Sequence, residues 1–328
     1  MSTASIKEVA RHAGVSIGTV SNVLNHPDVV APATRQRVLD AITQLGYVRN
    51  DSARQLRAGR SRTIAIVVLD VANPFFTDVV RGAEEVAEEH GAAVVVCNSG
   101  ERAERERRHL SLLEEQRVQG ILITPVDDSR NSRLGQLVRR GTPVVYVDRE
   151  ASQRGRCSVA VDDVLGGRLA GEHLLKQGHQ RIAFVGGPFS IRQVADRHAG
   201  FSAALVERPD PVEPPLVVAT QGLKVAAGRR AAAQIAELAP GRRPTAVFCA
   251  NDLVALGVLQ EMTQRGIAVP HDLAIVGYDD IEFAGAAAVP LSSVAQPREQ
   301  LGRTAAQLLL EEINDVPAHQ HRQVVFTP

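Results

Sequence analysis

From Thr63 onward the chain alternates between short, continuously apolar runs and longer stretches in which apolar residues recur with helical period. The runs are TIAIVVL at 63, AAVVVC at 92, GILIT at 120, PVVYV at 143, SVAV at 158, RIAFVG at 181, PLVVA at 215, AVFCA at 246, LAIVGY at 273 and QVVF at 323. The intervening pattern predicts helices over 78–89, 105–116, 164–176, 225–238, 253–265 and 298–313. Strands that are apolar at every position are buried on both faces, as parallel sheets covered by helices require. This part of the chain therefore reads as a doubly wound α/β body. Ten such strands exceed one comfortable sheet, which predicts two lobes with a ligand cleft between them. The first lobe is expected to end near Val161. GAAAVP at 285–290 reads as a return crossing, after which SSVA at 292 and the helix after Pro297 rejoin the first lobe. The expected limits are about 61–160 and 292–318 for lobe 1, and about 161–289 and 320–328 for lobe 2.

The first 60 residues follow a different rule. Val9, Ala10, Ala13, Val15, Val20, Val23, Leu24, Val38, Leu39, Ile42 and Leu45 recur at helical spacing in short segments, without a strand-like run. A helix over 6–13 is followed by Gly14, suited to a left-handed turn, and by Ser16, suited to capping a second helix over 17–24. A third helix opens at Ala31-Pro32 and runs to Leu45. A small residue at Ala10, a turn glycine and a core-facing Val20 at this spacing predict a helix-turn-helix head over 1–49, joined by a linker over 50–60 to a ligand-binding core over 61–328.

Charge supports that division. Residues 1–62 carry nine Lys/Arg and four Asp/Glu, and the chain as a whole is neutral. A basic head on a mildly acidic body directs a polyanionic partner to the head. At 328 residues, with 44% apolar and 23% charged positions, the chain is too long for one core. It has no apolar run near the roughly 18 residues a membrane span needs. No membrane association is expected, and the absence of a secretory pattern around Lys7 and Arg11 makes the cytoplasm the expected location. Cys97, Cys157 and Cys249 are isolated and read as buried thiols.

An enzyme is not expected. Asp127-Asp128, Asp162-Asp163 and Asp279-Asp280 follow strands. Adjacent side chains in extended backbone point to opposite sides, so each pair offers a site one carboxylate rather than two. There is no P-loop, GxSxG or HExxH pattern. His319 and His321 read as tail residues rather than ligands, so no metal, cofactor or catalytic group is expected. A periplasmic-type sugar carrier would share the body but lack the head.

The strings SIKEVARHAGVSIGTVSNVLN and GYVRNDSARQLRAG resemble the lactose-repressor (LacI/GalR) family of bacterial regulators, and the likeness continues through the body. The resemblance implies that the second helix enters the major groove. Positions Ile17, Gly18 and Asn22 would face bases, and Ser16, Thr19, Ser21 and Asn25 would lie near the backbone. Gly18 departs from the long polar side chains common there, which shifts base reading onto Asn22. It further implies a hinge helix over 50–58 that folds in the minor groove, with Leu56 as an apolar wedge, Ala53 packing nearby, and Arg54 and Arg57 on phosphates. One short recognition helix reads few bases, so a homodimer on an inverted-repeat operator is expected.

Polar residues just after the strands are the candidates for the effector: Asn73 with Phe75 and Phe76, Asp148 with Arg149, Asn251, Asp279 and Gln296, joined by Arg197 from DRHAGF. A sugar presents vicinal hydroxyls and a weakly apolar ring face, suited to carboxylates, amides, a forked guanidinium and a phenyl ring. These positions resemble those of periplasmic ribose-binding proteins and their repressor relatives, except that Leu223 stands where an aromatic wall is common. The expected function is a repressor controlled allosterically by a monosaccharide. A purine-type or other corepressor is the alternative, disfavoured by the 3% aromatic content and Leu223.

Overall fold

The structure, a computed structural model, describes residues 4–47, 61–126, 132–151, 155–207, 213–314 and 318–328. The chain forms two compact units, Met1–Ser61 and Arg62–Pro328.

In the first unit, α1 (Ile6–Ala13) begins with a reciprocal capping box between Ser5 and Glu8 and ends at Gly14, whose φ of 65° is left-handed. Ser16 caps α2 (Ile17–Asn25), its hydroxyl accepting from the Thr19 amide at 3.0 Å. After a short 3-10 turn at Pro27–Val29, α3 (Pro32–Leu45) starts on Pro32, where a missing amide hydrogen costs nothing. Val9, Ala10, Ala13, Val20, Val23, Val38 and Ala41 close the core of this unit.

The second unit opens with β1 (Thr63–Val68), α4 (Pro74–Glu89), β2 (Ala93–Asn98), α5 (Ala103–Glu115), β3 (Gly120–Ile123), α6 (Ser132–Arg139), β4 (Val144–Val147) and β5 (Ser158–Val161). It continues through α7 (Asp163–Lys176), β6 (Ile182–Gly186), α8 (Arg192–Val206), β7 (Leu216–Ala219), α9 (Val225–Ala236), β8 (Ala246–Cys249) and α10 (Asp252–Gln264). Then follow β9 (Ala274–Asp279), α11 (Glu282–Gly285), β10 (Ser292–Ala295), α12 (Arg298–Asn314) and β11 (Gln323–Phe326). The strands form two sheets, ordered β11-β5-β4-β3-β1-β2 and β10-β9-β8-β6-β7. All pairings are parallel, consistent with the apolar runs. In both sheets the strand order reverses beside the first strand, at β1/β3 and β6/β8, and ligands bind α/β sheets at the carboxyl ends beside such points. No described helix is long and apolar enough to cross a membrane.

Three expectations are corrected. SSVA at 292 does not rejoin the first lobe: Ser292 pairs with Val276, so β10 extends the second sheet, and the chain returns at 296–297 rather than 285–290. QVVF at 323 belongs to the first sheet, with Gln323 on Ser158, and not to lobe 2. Both are short edge strands, and which sheet they join depends on a partner far away in sequence, which local pattern does not encode. The rule that every apolar strand is buried also fails at β2 and β7, where Val95, Val96, Leu216 and Val217 are about 40% exposed because these are edges.

Close helix crossings complete the packing. A Cβ at Gly302 of α12 would lie 1.9 Å from the Val79 carbonyl oxygen of α4, and one at Gly167 of α7 would lie 2.0 Å from the Arg197 carbonyl oxygen of α8. The glycines let the helix backbones touch, and the second crossing holds Arg197 in place.

Candidate functional site

Val20 and Val23 turn one face of α2 into the core of the head. The opposite face presents Ile17, Gly18, Asn22 and Asn25 to solvent, with Ile17 46% exposed and Ser21 half-buried between them. Gly18 sits in open space, with only the Ser16 hydroxyl near the position a Cβ would take. Ser16 and Thr19 share a hydroxyl hydrogen bond of 2.9 Å, and the Asn25 amide donates to the Ser21 carbonyl at 2.8 Å. Among the seven expected contact positions, Asn22 thus carries a long polar group that makes no side-chain hydrogen bond among the described residues. Ala53, Arg54, Leu56 and Arg57, with the rest of the expected hinge helix, lie outside the described residues.

Within the second unit a cleft is lined by Asn73, Phe75, Phe76, Asp148, Arg197, Asn251 and Asp279, seven of the nine expected effector residues. All but Arg197, which lies inside α8, are placed by an element end. Asn73 caps α4, accepting from the Phe75 amide at 3.1 Å, and its Nδ2 donates across the cleft to Asp279 Oδ2 at 3.4 Å. The rings of Phe75 and Phe76 meet edge to face at 5.0 Å. Asn251 caps α10 and donates to the Leu223 carbonyl at 3.1 Å. Asp148 and Asp279, directly after β4 and at the end of β9, have φ of 58° and 107°, a strained backbone that aims both carboxylates inward.

Arg197 organises the charge. Its Nε donates to Asp163 at 2.7 Å, Nη1 donates to the Ala250 carbonyl at 2.8 Å and lies 3.6 Å from Asp279, and the guanidinium stacks on Tyr278. Burial works against its charge, but Asp163, Tyr278, Asp279 and Asp148 outweigh that and raise its pKa further. One cation faces three buried carboxyls. Burial pushes Asp148 well above the usual carboxylate range, with the nearby Asp163 charge adding to it and Arg197 opposing it. Burial also raises Asp163, and pushes Asp279 up to about 6 against the pull of Arg197, Asn73 and Gln296. Gln193 donates to the Asp148 carbonyl and to its Oδ2 at 2.7 and 2.9 Å, while Oδ1 of Asp148 is buried without a hydrogen-bond partner. At the rim, Lys224 and Asp70 pair at 3.1 Å. The cleft is nearly closed: water can occupy about 30 Å³ of it.

Two expected residues are corrected. Arg149 lines a neighbouring cavity with Glu150, Asp162 and Asp163, which shares only Asp148 and Gln193 with the cleft, because the left-handed turn at Asp148 sends successive side chains to different sides. Gln296 is not a wall of the cleft but stands behind it, donating to Asp279 at 2.7 Å. The cleft also recruits Leu69, Asp70, Glu101, Ile191, Gln193 and Val194. Asp70 and Glu101 closely follow strands, so the rule that found Asn73 could have found them. Gln193 lies one helical turn before Arg197, a spacing that shares a face. The carboxyl of Glu101 is raised by burial, with Lys224 pulling the other way. His319 and His321 do not form a free tail: both lie against Cys157.

The comparisons with known proteins agree with this architecture. The pattern of the bacterial regulatory proteins of the lacI family matches residues 5–50, and that of the periplasmic binding protein-like domain matches residues 172–328. The HTH-type transcriptional repressor PurR of Aliivibrio fischeri is 34% identical over 325 residues, which cover 98% of this chain and 95% of the relative. Among solved structures, the lac repressor dimer bound to operator and the anti-inducer ONPF is 29% identical with a TM-score of 0.82, covering 99% of this chain and 97% of that one. The complex of the transcriptional regulator CelR with cellobiose is 33% identical with a TM-score of 0.72 and the same coverage. With a helix-turn-helix head, two parallel-sheet lobes and near full-length likeness to repressors rather than enzymes, the chain belongs to the lacI family of DNA-binding bacterial transcriptional repressors.

Proposed function

We propose that the chain is a homodimeric repressor of an inverted-repeat operator whose grip on DNA is set by a monosaccharide bound in the Arg197 cleft. The observation that carries the sugar reading is the polar lining. Asp148 holds a buried carboxylate oxygen without a partner, and Arg197, Asn73, Asn251 and Asp279 surround the same space. A buried acceptor left unpaired costs about 1–3 kcal/mol, and a sugar hydroxyl can satisfy it. The CelR complex with cellobiose, a disaccharide, supports a sugar as the class of ligand and not its size.

In this reading the closed cleft is held by Asn73 to Asp279, Gln193 to Asp148 and Lys224 to Asp70, all between the lobes. A ligand whose hydroxyls replace these contacts changes the preferred angle between lobes, and this difference in affinity for two states is the coupling to DNA. The exposed valines of β2 and the exposed Leu216 and Val217 of β7 offer two edges for a second copy. On DNA, Ile17, Gly18 and Asn22 face bases, Ser16, Thr19, Ser21 and Asn25 face the backbone, and Ala53, Arg54, Leu56 and Arg57 serve the hinge.

A purine base is the second reading, favoured by the apolar side of the same cleft, where Phe75, Phe76, Ile191, Val194 and Leu223 could take a flat ring. Thermal unfolding of the full chain against pentoses, hexoses and purines separates the two. A ligand at 100 times its dissociation constant adds about 2.7 kcal/mol. A shift with a purine and none with any sugar defeats the first reading.

A further inference from the structure

Outside the cleft lining, four side chains from three segments converge on one point. Cys157 immediately precedes β5, Glu312 lies in the last turn of α12, and His319 and His321 lead into β11. Cys157 Sγ is 3.1 Å from His319 Nε2 and 3.7 Å from His321 Nδ1, and His321 Nδ1 is 4.0 Å from Glu312 Oε2. One sulfur, two imidazole nitrogens and one carboxylate oxygen all lie within 4.8 Å of one another, a grouping not repeated among the described residues.

The three separations just given lie within about 0.2 Å of those in a coordination shell. Metal–ligand bonds of about 2.0–2.3 Å arranged tetrahedrally place ligand atoms roughly 3.3–3.8 Å apart. The hydrogen-bond account of the same cluster is incomplete. The thiol has one proton to share, yet it faces two ring nitrogens and also receives the Arg322 amide at 3.4 Å. Glu312 Oε2 is buried and accepts no hydrogen bond. A cation at the common point would satisfy both. Cys157 is fully buried while His321 is one-third exposed, so an ion has an open side from which to enter.

We infer that Cys157, Glu312, His319 and His321 form a binding site for a divalent transition ion, with zinc the best match to one thiolate, two imidazoles and one carboxylate in tetrahedral array. Cys157 binds as the thiolate and releases its proton to solvent. The ion's role is structural: it ties the segment leading into the short edge strand β11 to β5 and α12, closing the first sheet at its outer margin.

The test uses the full chain stripped of metal with a chelator and titrated with Co²⁺ and, in a separate series, Zn²⁺. The expected result is one Zn²⁺ per chain, a sulfur-to-cobalt charge-transfer band with ligand-field absorption of tetrahedral strength, and slowed amide exchange in β11 on adding Zn²⁺. Cys157→Ser should abolish the charge-transfer band. The more exposed His321→Ala should keep the fold, by circular dichroism, and weaken Zn²⁺ binding at least tenfold, so the test survives even if the buried cysteine variant fails to fold. Absence of the band, or Zn²⁺ binding undiminished in His321→Ala, overturns the site.

Discussion

The guanidinium carbon of Arg197 lies 3.7 Å from the centre of the Tyr278 ring, both side chains almost fully buried. A cation stacked on an aromatic face away from water gains about 2 kcal/mol or more, and here Asp163 fixes its orientation. Arg197→Lys retains the charge but loses the flat stacking surface and the fork of donors. Urea unfolding should show a loss of about 2–4 kcal/mol, and the effector-induced thermal shift should disappear. Arg197→Ala is less informative, because it leaves Asp163 and Asp279 buried without their cation. A variant as stable and responsive as wild type would remove Arg197 from the centre of the site.

Asp252 accepts from the Ile281 amide at 2.9 Å and from Ser293 at 2.7 Å, and burial, reinforced by the Asp279 charge, pushes it up to about 7. The folded chain therefore holds this proton more tightly than the unfolded chain, where an aspartate titrates near 3.9. The stability this confers is fully present below about pH 4 and is lost as pH rises through about 7, each unit being worth about 1.4 kcal/mol. Asp252→Asn cannot ionise. Unfolding free energies measured from pH 4 to 8 should fall more steeply for wild type than for the variant, and parallel curves would count against a raised Asp252.

Gly302 and Val79 mark the contact between α12 and α4, where an added Cβ would sit 1.9 Å from a carbonyl oxygen. Backbone cannot yield as a flexible side chain can. Gly302→Ala should cost about 1–3 kcal/mol by forcing the helices apart, read as a lowered midpoint in chemical denaturation. Gly18 is the control, since its surroundings are open.

For that reason Gly18→Ala should be tolerated and should slow amide exchange along α2 about two- to fivefold, as expected when an exposed helical glycine becomes alanine. Asn22→Ala should instead spare the fold and lower operator affinity by about 1–3 kcal/mol, with random duplex almost unaffected at the same salt concentration. Equal losses on both duplexes would mean that Asn22 positions the head and reads no base.

Val95 and Val96 are about 40% exposed on the edge strand β2, although the strand is apolar from Ala93 to Cys97. An uncovered apolar edge is a pairing surface. With the proposed homodimer seated on this edge, Val95→Asp should yield monomer in sedimentation experiments and weaken operator binding in parallel. A dimer of unchanged affinity would place the interface elsewhere.

Local pattern was enough to specify a great deal. The three helices of the head and their caps follow from short-range spacing around Gly14, Ser16 and Pro32, because capping and helical period are satisfied within a few residues. The apolar runs likewise became strands, and residues at their carboxyl ends, Asn73, Asp148, Asn251 and Asp279, met in one cleft because parallel topology points all those ends the same way. Tertiary structure alone decided the rest. Neither β10 nor β11 carries a signal for its sheet, since parallel partners lie far apart in sequence. Nor does any local feature show that Arg197 would be claimed by Asp163 and Tyr278, or that Arg149 would turn away. The clearest case is Cys157, which stands alone in the sequence and is separated by more than 150 residues from Glu312, His319 and His321. They meet because β11 pairs with β5, a contact between residues far apart in sequence that no local pattern encodes.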